Sequence, residues 1–474
     1  MGGTKVEKIK SWIVGGSLFD QFNLCVVGAT TLLLLCTCTV QLRALSKTMT
    51  PRFLIFWTSQ HIDTTPQRVY ENNGYLTISA NGGLNQMRAG ICDMVAIAKY
   101  LNVTLVVPEL DNTSLWHDSS QFQDLFDVNY FITSLRDEVP ILKQLPDEQK
   151  RRVKNDSIYT MEPHSWSNLG YYYYQILPKI KEQEVVHFNK IDFRLVNNGI
   201  PIEFQKLRCQ VNYEALKFTP TIAEVGKKIV KLLRQKGPFL VLHLRYEMDM
   251  VAFSGCNEGC NETEVDELTK LRYATPWWGQ KVINSGLKRK VGGCPLTPEE
   301  TALALQALDI DPSIQIYIAA GNIYGGERRM AALRAAFPNL VRKETLLAPS
   351  ELKPFRKHSN MKAALDYIVA IESDIFVPTY RGNMAKLVQG HRRYLGYKIT
   401  ISLDAQLLVN VIDRYKKGAL NWEEVSQEVK TGHADRMGSP TQRMEVPENP
   451  MHEDYFYSNP QECLPPVSKI SKST

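Results

Sequence analysis

The hydrophobic pattern changes period along the chain, and each change marks an element. Tyr75 to Ser79 alternates as a strand does, and Asn81-Gly82-Gly83 makes a tight turn. Asn85 to Leu101 then places Met87, Ile91, Met94, Val95, Ala98 and Leu101 at helical spacing. Val103 to Val107, β-branched and stopped by Pro108, predicts a second strand. Strand, glycine turn, helix and strand in this order form a βαβ unit, whose helix N-terminus can receive an anion. The competing reading is that Gly82 and Gly83 serve only the turn. From 109 to 236 the periodicity is poorer, until Ile222 to Leu233 reads as helix again.

After Gly237-Pro238 comes the apolar run Phe239, Leu240, Val241, Leu242 and Leu244, the pattern of a strand buried on both faces in a parallel sheet. Its exit carries His243, Arg245, Glu247 and Asp249. Open α/β sheets bind ligands beyond the carboxyl ends of their strands, and a guanidinium matches phosphate oxygens. A salt bridge at a domain interface is the other reading of Arg245. Residues 252–292 look like an insertion. Thr297-Pro298-Glu299-Glu300 starts a helix with a capping box. Strand Ile314 to Ala319, helix Glu327 to Phe337 and helix Asn360 to Ile371, capped by Ser359, follow. Strand Asp374 to Val377, loop Pro378 to Gly382, helix Asn383 to Arg393 and strand Lys398 to Leu403 complete a doubly wound alternation. The predicted division is a domain over 73–236, a second over 237–429 and an irregular tail over 430–474.

The 474 residues accommodate two such cores, and the composition (44% hydrophobic, 22% charged) is that of a globular protein. A net charge of +6, spread along the chain, argues against dedicated nucleic-acid binding. One segment departs from this. Leu24 to Val40 carries no charge and is bracketed by Asp20 and Arg43, which predicts a transmembrane signal anchor over 23–42, a cytosolic tail over 1–22 and a stem over 43–72. A cleaved signal peptide and a buried helix are its rivals. Basic residues balance on the two sides, so charge does not orient the anchor. Glycosylation sequons at Asn102, Asn112, Asn155 and Asn261, all downstream, place the larger part in a lumen. Six cysteines outside the apolar segment suit disulfides there. Cys256, Cys260 and Cys294 lack the fourth ligand of a zinc site.

If the two halves face each other, three loops converge: Asn81 to Gln86, His243 to Asp249, and Pro378 to Asn383. Thr379, Tyr380, Arg381 and Asn383 stand at a helix N-terminus suited to a diphosphate. Asp366, one helix earlier, either contacts a base or ribose or faces solvent. Asp309-Ile-Asp311 resembles a metal-binding triplet but follows a helix, so a plain turn is the simpler reading. Glu247 and Asp249 are better placed for a cation and are the nearest general-base candidates. Trp116, Trp166 and Tyr171 to Tyr174 line a sugar groove or belong to the core.

The segments NGGLNQMRAGICDMVAIAKYLN, VLHLRYEMDMVAFSGC, RYATPWW, IYIAAGNIYGG, NMAKLVQGHRRYLG and EDYFYSNPQEC resemble the plant O-fucosyltransferase-like glycosyltransferases, most of all their rhamnogalacturonan I rhamnosyltransferase branch. The resemblance implies a GT-B fold of two Rossmann-like domains across a cleft, behind one transmembrane helix, in a type II Golgi protein with a luminal catalytic part. It implies inverting, metal-independent transfer from a nucleotide sugar, UDP-rhamnose or GDP-fucose, with no other cofactor. His243 and Arg245 would hold the diphosphate, with Thr379, Tyr380 and Asn383. Gly82, Gly83, Asn85 and Gln86 would form the glycine loop, with Asn85 near the reacting sugars. Asp366 would contact the nucleotide. The implied acceptor is an acidic polysaccharide, galacturonic acid ends of a pectin backbone, with a protein acceptor as the alternative. NGGLNQ departs from the G-x-x-G-N-Q-type loop of animal protein O-fucosyltransferases, so the donor does not transfer from them. Fucosyl transfer and a non-catalytic scaffold in a wall-synthesis complex are the competing functions.

Overall fold

The computed structural model describes residues 72–112 and 118–465, within one compact unit, Gln67–Thr474. The expected anchor, Trp116 and all but the last residue of the stem lie outside the described residues. Among those described, no helix is long and apolar enough to cross a membrane.

Two parallel sheets organise the chain. The first holds β1 (Tyr75–Ile78), β2 (Thr104–Val106), β3 (Ile141–Leu142), β4 (Tyr159–Met161) and β5 (Val185–Phe188) in the order β3-β2-β1-β5-β4. The second holds β6 (Phe239–His243), β7 (Gln315–Ile318), β8 (Leu340–Val341) and β9 (Ile375–Pro378) in the order β8-β7-β6-β9. Four helices position the site: α1 (Leu84–Leu101), α2 (Pro220–Arg234), α3 (Ser359–Glu372) and α4 (Asn383–Tyr394).

The uninterrupted apolar run of β6 has a simple cause. Side chains alternate across a strand, and here both faces are covered. Phe239 and Val241 join a core that continues through α1 to Leu76, Ile78 and Phe188 of the first sheet. Leu240, Leu242 and Leu244 fill a second core with Ile316, Ile318 and Val377. Each such side chain contributes about 1.5–3 kcal/mol on burial, so a polar residue on either face of β6 would unseat one of the cores.

Most boundaries fall within a residue or two of the pattern, and the differences have physical reasons. The Thr297–Glu300 capping box forms reciprocally, at 3.1 and 3.0 Å. Ser359 does not cap α3; His358 holds the N-cap position, and Asp118 accepts the Asn360 N–H at 2.5 Å instead. Residues 398–403 do not add a full strand. Thr400 bridges to Phe376, while the Thr400 and Ser402 N–H groups turn to Met437 O and Arg436 O at 3.0 and 2.9 Å.

Among the described residues the carboxyl-terminal segment has only single-turn helices after Trp422–His433, yet it is tightly held. Phe456 and Tyr457 are buried, and Cys463 is disulfide-bonded to Cys209. Tyr457 Oη donates to Asp93 on α1 at 2.6 Å, and Arg393 on α4 donates to the carbonyls of Gly438, Ser439 and Ser458. Gly390 is required at this contact, because a Cβ there would lie 1.9 Å from Tyr457 O. The segment thus straps α1 to α4. A second disulfide, Cys256–Cys294, ties the start of the 252–292 segment to the chain just beyond its end and rules out those two thiols as metal ligands; Cys92 and Cys260 are free.

Candidate active site

The exit of β6 forms an arginine turn. Arg245 Nη1 donates to Glu247 Oε2 (2.5 Å) and Asp249 Oδ1 (3.1 Å), and Nη2 to Asp249 Oδ2 (2.8 Å). Its side chain keeps 19% exposure. Desolvation opposes the guanidinium charge, but Glu247 and Asp249 outweigh it and the pKa is raised. Arg245 is thus salt-bridged within its own turn rather than across a domain interface, and it stands at a carboxyl strand end. Glu247 Oε1 also accepts the Gly321 N–H at 2.9 Å, tying the turn to the exit of β7. Neither acid is a free metal ligand or a free base here, and among the described residues no three His, Cys, Asp or Glu side chains gather as a metal cage.

Thr379 locks the neighbouring loop to this turn. Its Oγ1 accepts the Arg245 N–H (3.1 Å) and donates to His243 O (3.2 Å). Tyr380 lies close enough for the Arg245 charge to oppose the rise that burial imposes on its phenol. His243 is buried, with Nδ1–H donating to Ala319 O at 2.8 Å. Desolvation lowers its pKa, so the ring is neutral at pH 7 and braces the turn.

The glycine turn is built differently. Gly82 has φ +84°, the left-handed region where glycine is unstrained, and its N–H donates to Asp111 Oδ2 at 2.7 Å. Asn81 Nδ2 and Gln86 Nε2 donate to the two oxygens of Asp192, at 2.7 and 2.8 Å. Gly83 is the N-cap of α1, and Asn85 in its first turn is buried with Oδ1 unpartnered. Asn383 Nδ2 reaches Gln86 Oε1 at 3.4 Å. Through Thr379 and Asn383 the three predicted loops are joined.

Asp366 is not among the gathered residues, and it does not face solvent either. It is 5% exposed, with Tyr317 Oη donating to Oδ1 (2.7 Å) and Lys343 Nζ to both oxygens (3.2 and 2.9 Å). Desolvation raises its pKa, opposed by Lys343. With both oxygens engaged inside the second half, it supports the β7 exit, where Lys343 also bonds Ala320 O at 3.0 Å. Asp309 and Asp311 form a turn: Asp309 has φ +54°, and Asp311 Oδ1 accepts from Ser313 N and Oγ at 2.8 Å. A depression lined by Lys236, Pro238, Asp311 and Asn339 lies at the amino end of the second sheet, opposite Arg245.

Several residues at this rim carry no sequence signal. Asp192 and Phe193 sit in a loop without periodicity. Trp166 and Phe193, in the loops leaving β4 and β5, both have left-handed backbones, φ +57° and +55°, at a cost of about 1–3 kcal/mol each. Their rings stack at 5.2 Å, and Trp166 N donates to Phe193 O at 2.7 Å. Of the predicted aromatic set, Tyr172 is core, while Tyr173 and Tyr174 are exposed. At the end of β1, Ser79 Oγ donates to Glu109 Oε2 (2.9 Å) and lies 3.2 Å from His187 Nε2.

Paired turns at the carboxyl ends of two parallel sheets, one presenting amides and one a countered arginine, are suited to holding a polar ligand with an anionic centre. The family described as GDP-fucose protein O-fucosyltransferase matches residues 75–395, and the chain belongs to it; it is a glycosyltransferase. Among relatives, rhamnogalacturonan I rhamnosyltransferase 1 of Arabidopsis thaliana is 58% identical, over 98% of this chain and 94% of its own. O-fucosyltransferase 38 of the same plant is 46% identical, over 83% of this chain and 76% of its own. Among solved structures, POFUT1 in complex with GDP is 16% identical, over 70% of this chain and 97% of its own, with a TM-score of 0.41.

Proposed function

We propose that this chain transfers L-rhamnose from UDP-rhamnose, with inversion, to galacturonic acid of rhamnogalacturonan I in pectin synthesis. The carrying observation is the 58% identity to rhamnogalacturonan I rhamnosyltransferase 1, in a match that spans nearly the whole chain. In this reading the two halves form a GT-B cleft. The protein is a type II Golgi enzyme, anchored over 23–42, luminal, and glycosylated at its sequons, of which Asn112 and Asn261 are exposed.

The arginine turn supports a specific sequence of events. The donor diphosphate outcompetes a carboxylate for the Arg245 fork, since a phosphate group carries more charge on more oxygens. The N-terminus of α4 supplies further N–H groups. As the bond from the sugar C1 to the β-phosphate oxygen breaks, its electron pair stays on that oxygen, where Arg245 stabilises it. The acceptor hydroxyl attacks C1 from the opposite face, and its proton passes through water to the displaced carboxylate, Asp249 or Glu247. Glycine-turn amides and Asn85 orient the sugars. Asp366, through Lys343, steadies the β7 exit rather than touching the nucleotide.

The family match and the 46% identity to O-fucosyltransferase 38 favour a second reading, fucosyl transfer from GDP-fucose. A donor-by-acceptor screen of purified protein separates the two. Rhamnose transfer from UDP-rhamnose to rhamnogalacturonan I oligosaccharides is the expected result; turnover with GDP-fucose alone overturns it. Failure to bind any nucleotide sugar favours a non-catalytic scaffold.

A further inference from the structure

We infer that the rim formed by Trp166, Phe193, Tyr455 and Lys386 is an acceptor subsite, in which the rings take the apolar face of a uronic acid and the lysine takes its carboxylate. The inference rests on the acidic-acceptor reading above.

Four observations converge. The rings make a continuous shelf: Trp166 stacks on Phe193 at 5.2 Å, and Phe193 packs against Tyr455 at 6.1 Å. All three keep part of their surface exposed. Trp166 and Phe193 belong to the loops leaving β4 and β5, which puts the shelf at the same sheet end as the glycine turn. The physical link is short: Phe193 follows Asp192, whose carboxylate holds Asn81 and Gln86.

Lys386 completes the shelf from the other half. It stands three residues after Asn383 on α4 and so on the same helix face, and Asn383 reaches Gln86. Lys386 Nζ sits 4.8 Å from the Tyr455 ring centre. Among the described residues no carboxylate pairs with it, and burial and Arg381 both disfavour its charge. A half-buried cation without a counter-ion is stabilised by an arriving carboxylate. The nearby Asp192 does not compete, because its oxygens accept from two amides and Arg194 lies 3.7 Å away.

The left-handed backbones at Trp166 and Phe193 point the same way. Bulky residues rarely adopt that conformation, and where they do the surroundings impose it, commonly at ligand sites. Hexuronates present one carboxylate and one apolar ring face, which is what a shelf with a single cation can read.

The test is calorimetric binding of oligogalacturonate, and of the same oligosaccharide with its carboxyl groups reduced to alcohols, to the full chain. Wild type is expected to prefer the acid form about tenfold, the scale of one charge-assisted hydrogen bond. Lys386→Gln should erase that preference, Lys386→Arg should keep it, and Trp166→Ala should weaken both forms alike. UDP affinity should stay unchanged in all three. A wild type that binds both forms equally overturns the inference without any variant being made. So does a Lys386→Gln protein that keeps the preference or loses UDP affinity in proportion. Rhamnose transfer, assayed in parallel, keeps the two readings apart. Acid preference that depends on Lys386 in an enzyme inactive with UDP-rhamnose upholds the subsite and removes the donor assignment.

Discussion

The glycine turn and the arginine turn are joined through Thr379 and Asn383 but are held on opposite electrostatic plans. In the first, neutral donors are fixed by carboxylates from other elements: Asp111 on the Gly82 N–H, Asp192 on Asn81 and Gln86. In the second, a permanent cation is fixed by carboxylates two and four residues further along its own turn. The difference has a chemical consequence. Amides held from outside can choose among hydroxyl groups without responding to charge. A guanidinium that already has two counter-ions responds only to a group that draws it more strongly than either acid. A diphosphate does; a sugar hydroxyl does not.

The largest effect is expected beneath the arginine turn, at the buried Lys343–Asp366 pair. Lys343→Met should cost about 3–5 kcal/mol in chemical denaturation by leaving a buried carboxylate without its partner. The double variant Lys343→Met/Asp366→Leu should recover most of it. A loss below about 1 kcal/mol would show that the pair does not support this turn. Next, Arg245→Ala should lower kcat about 10²–10³-fold, and Arg245→Lys should not restore it, because the fork and not the charge alone is used. Undiminished turnover by a folded Arg245→Ala protein would remove the contrast between the turns.

A smaller effect comes from pH, acting on the seam between the halves. Burial, then Arg88 and Lys398, lower the His391 pKa to about 3, with Nδ1 2.8 Å from Tyr367 Oη. The unfolded chain takes up the proton first, so this stability is complete above pH ~6.5 and is lost as pH falls toward 3. The loss is about 1.4 kcal/mol per pH unit, or about 2 kcal/mol between pH 6.5 and 5. His391→Gln should flatten that slope in part, since His243 and His433 are shifted in the same direction. The smallest effect is at the glycine turn. Asp192→Asn weakens two bonds to neutral amides, so kcat/KM should drop roughly fivefold, about 1 kcal/mol, with UDP affinity unchanged. Equal losses in UDP affinity would mean that the two turns share the phosphate.

What the sequence reveals follows from which residues have a local reason for their place. β6 is legible because a strand covered on both faces must be apolar throughout, and α1 because its buried face repeats at helical spacing. Thr297 is legible as a cap because its partner, Glu300, is three residues away. Ser359 misleads because the group that caps α3, Asp118, is 242 residues from Asn360. Asp366 is ambiguous for a related reason: a carboxylate on a helix before the last strand looks the same in sequence whether it faces a nucleotide or a lysine 23 residues earlier. Asp192, Phe193 and Lys386 become significant only once β5, α4 and the returning carboxyl-terminal segment stand side by side. The convergence of the three loops was readable in outline; the two carboxylates on Arg245 were visible as neighbours, not as its partners.

The direct test of the arginine clamp is the affinity for UDP and for uridine, measured by calorimetry on wild type and Arg245→Ala. UDP binding is predicted to weaken about 100-fold in the variant, the scale of two lost charge-assisted hydrogen bonds, while uridine binding does not change. UDP bound equally well by both proteins would contradict it.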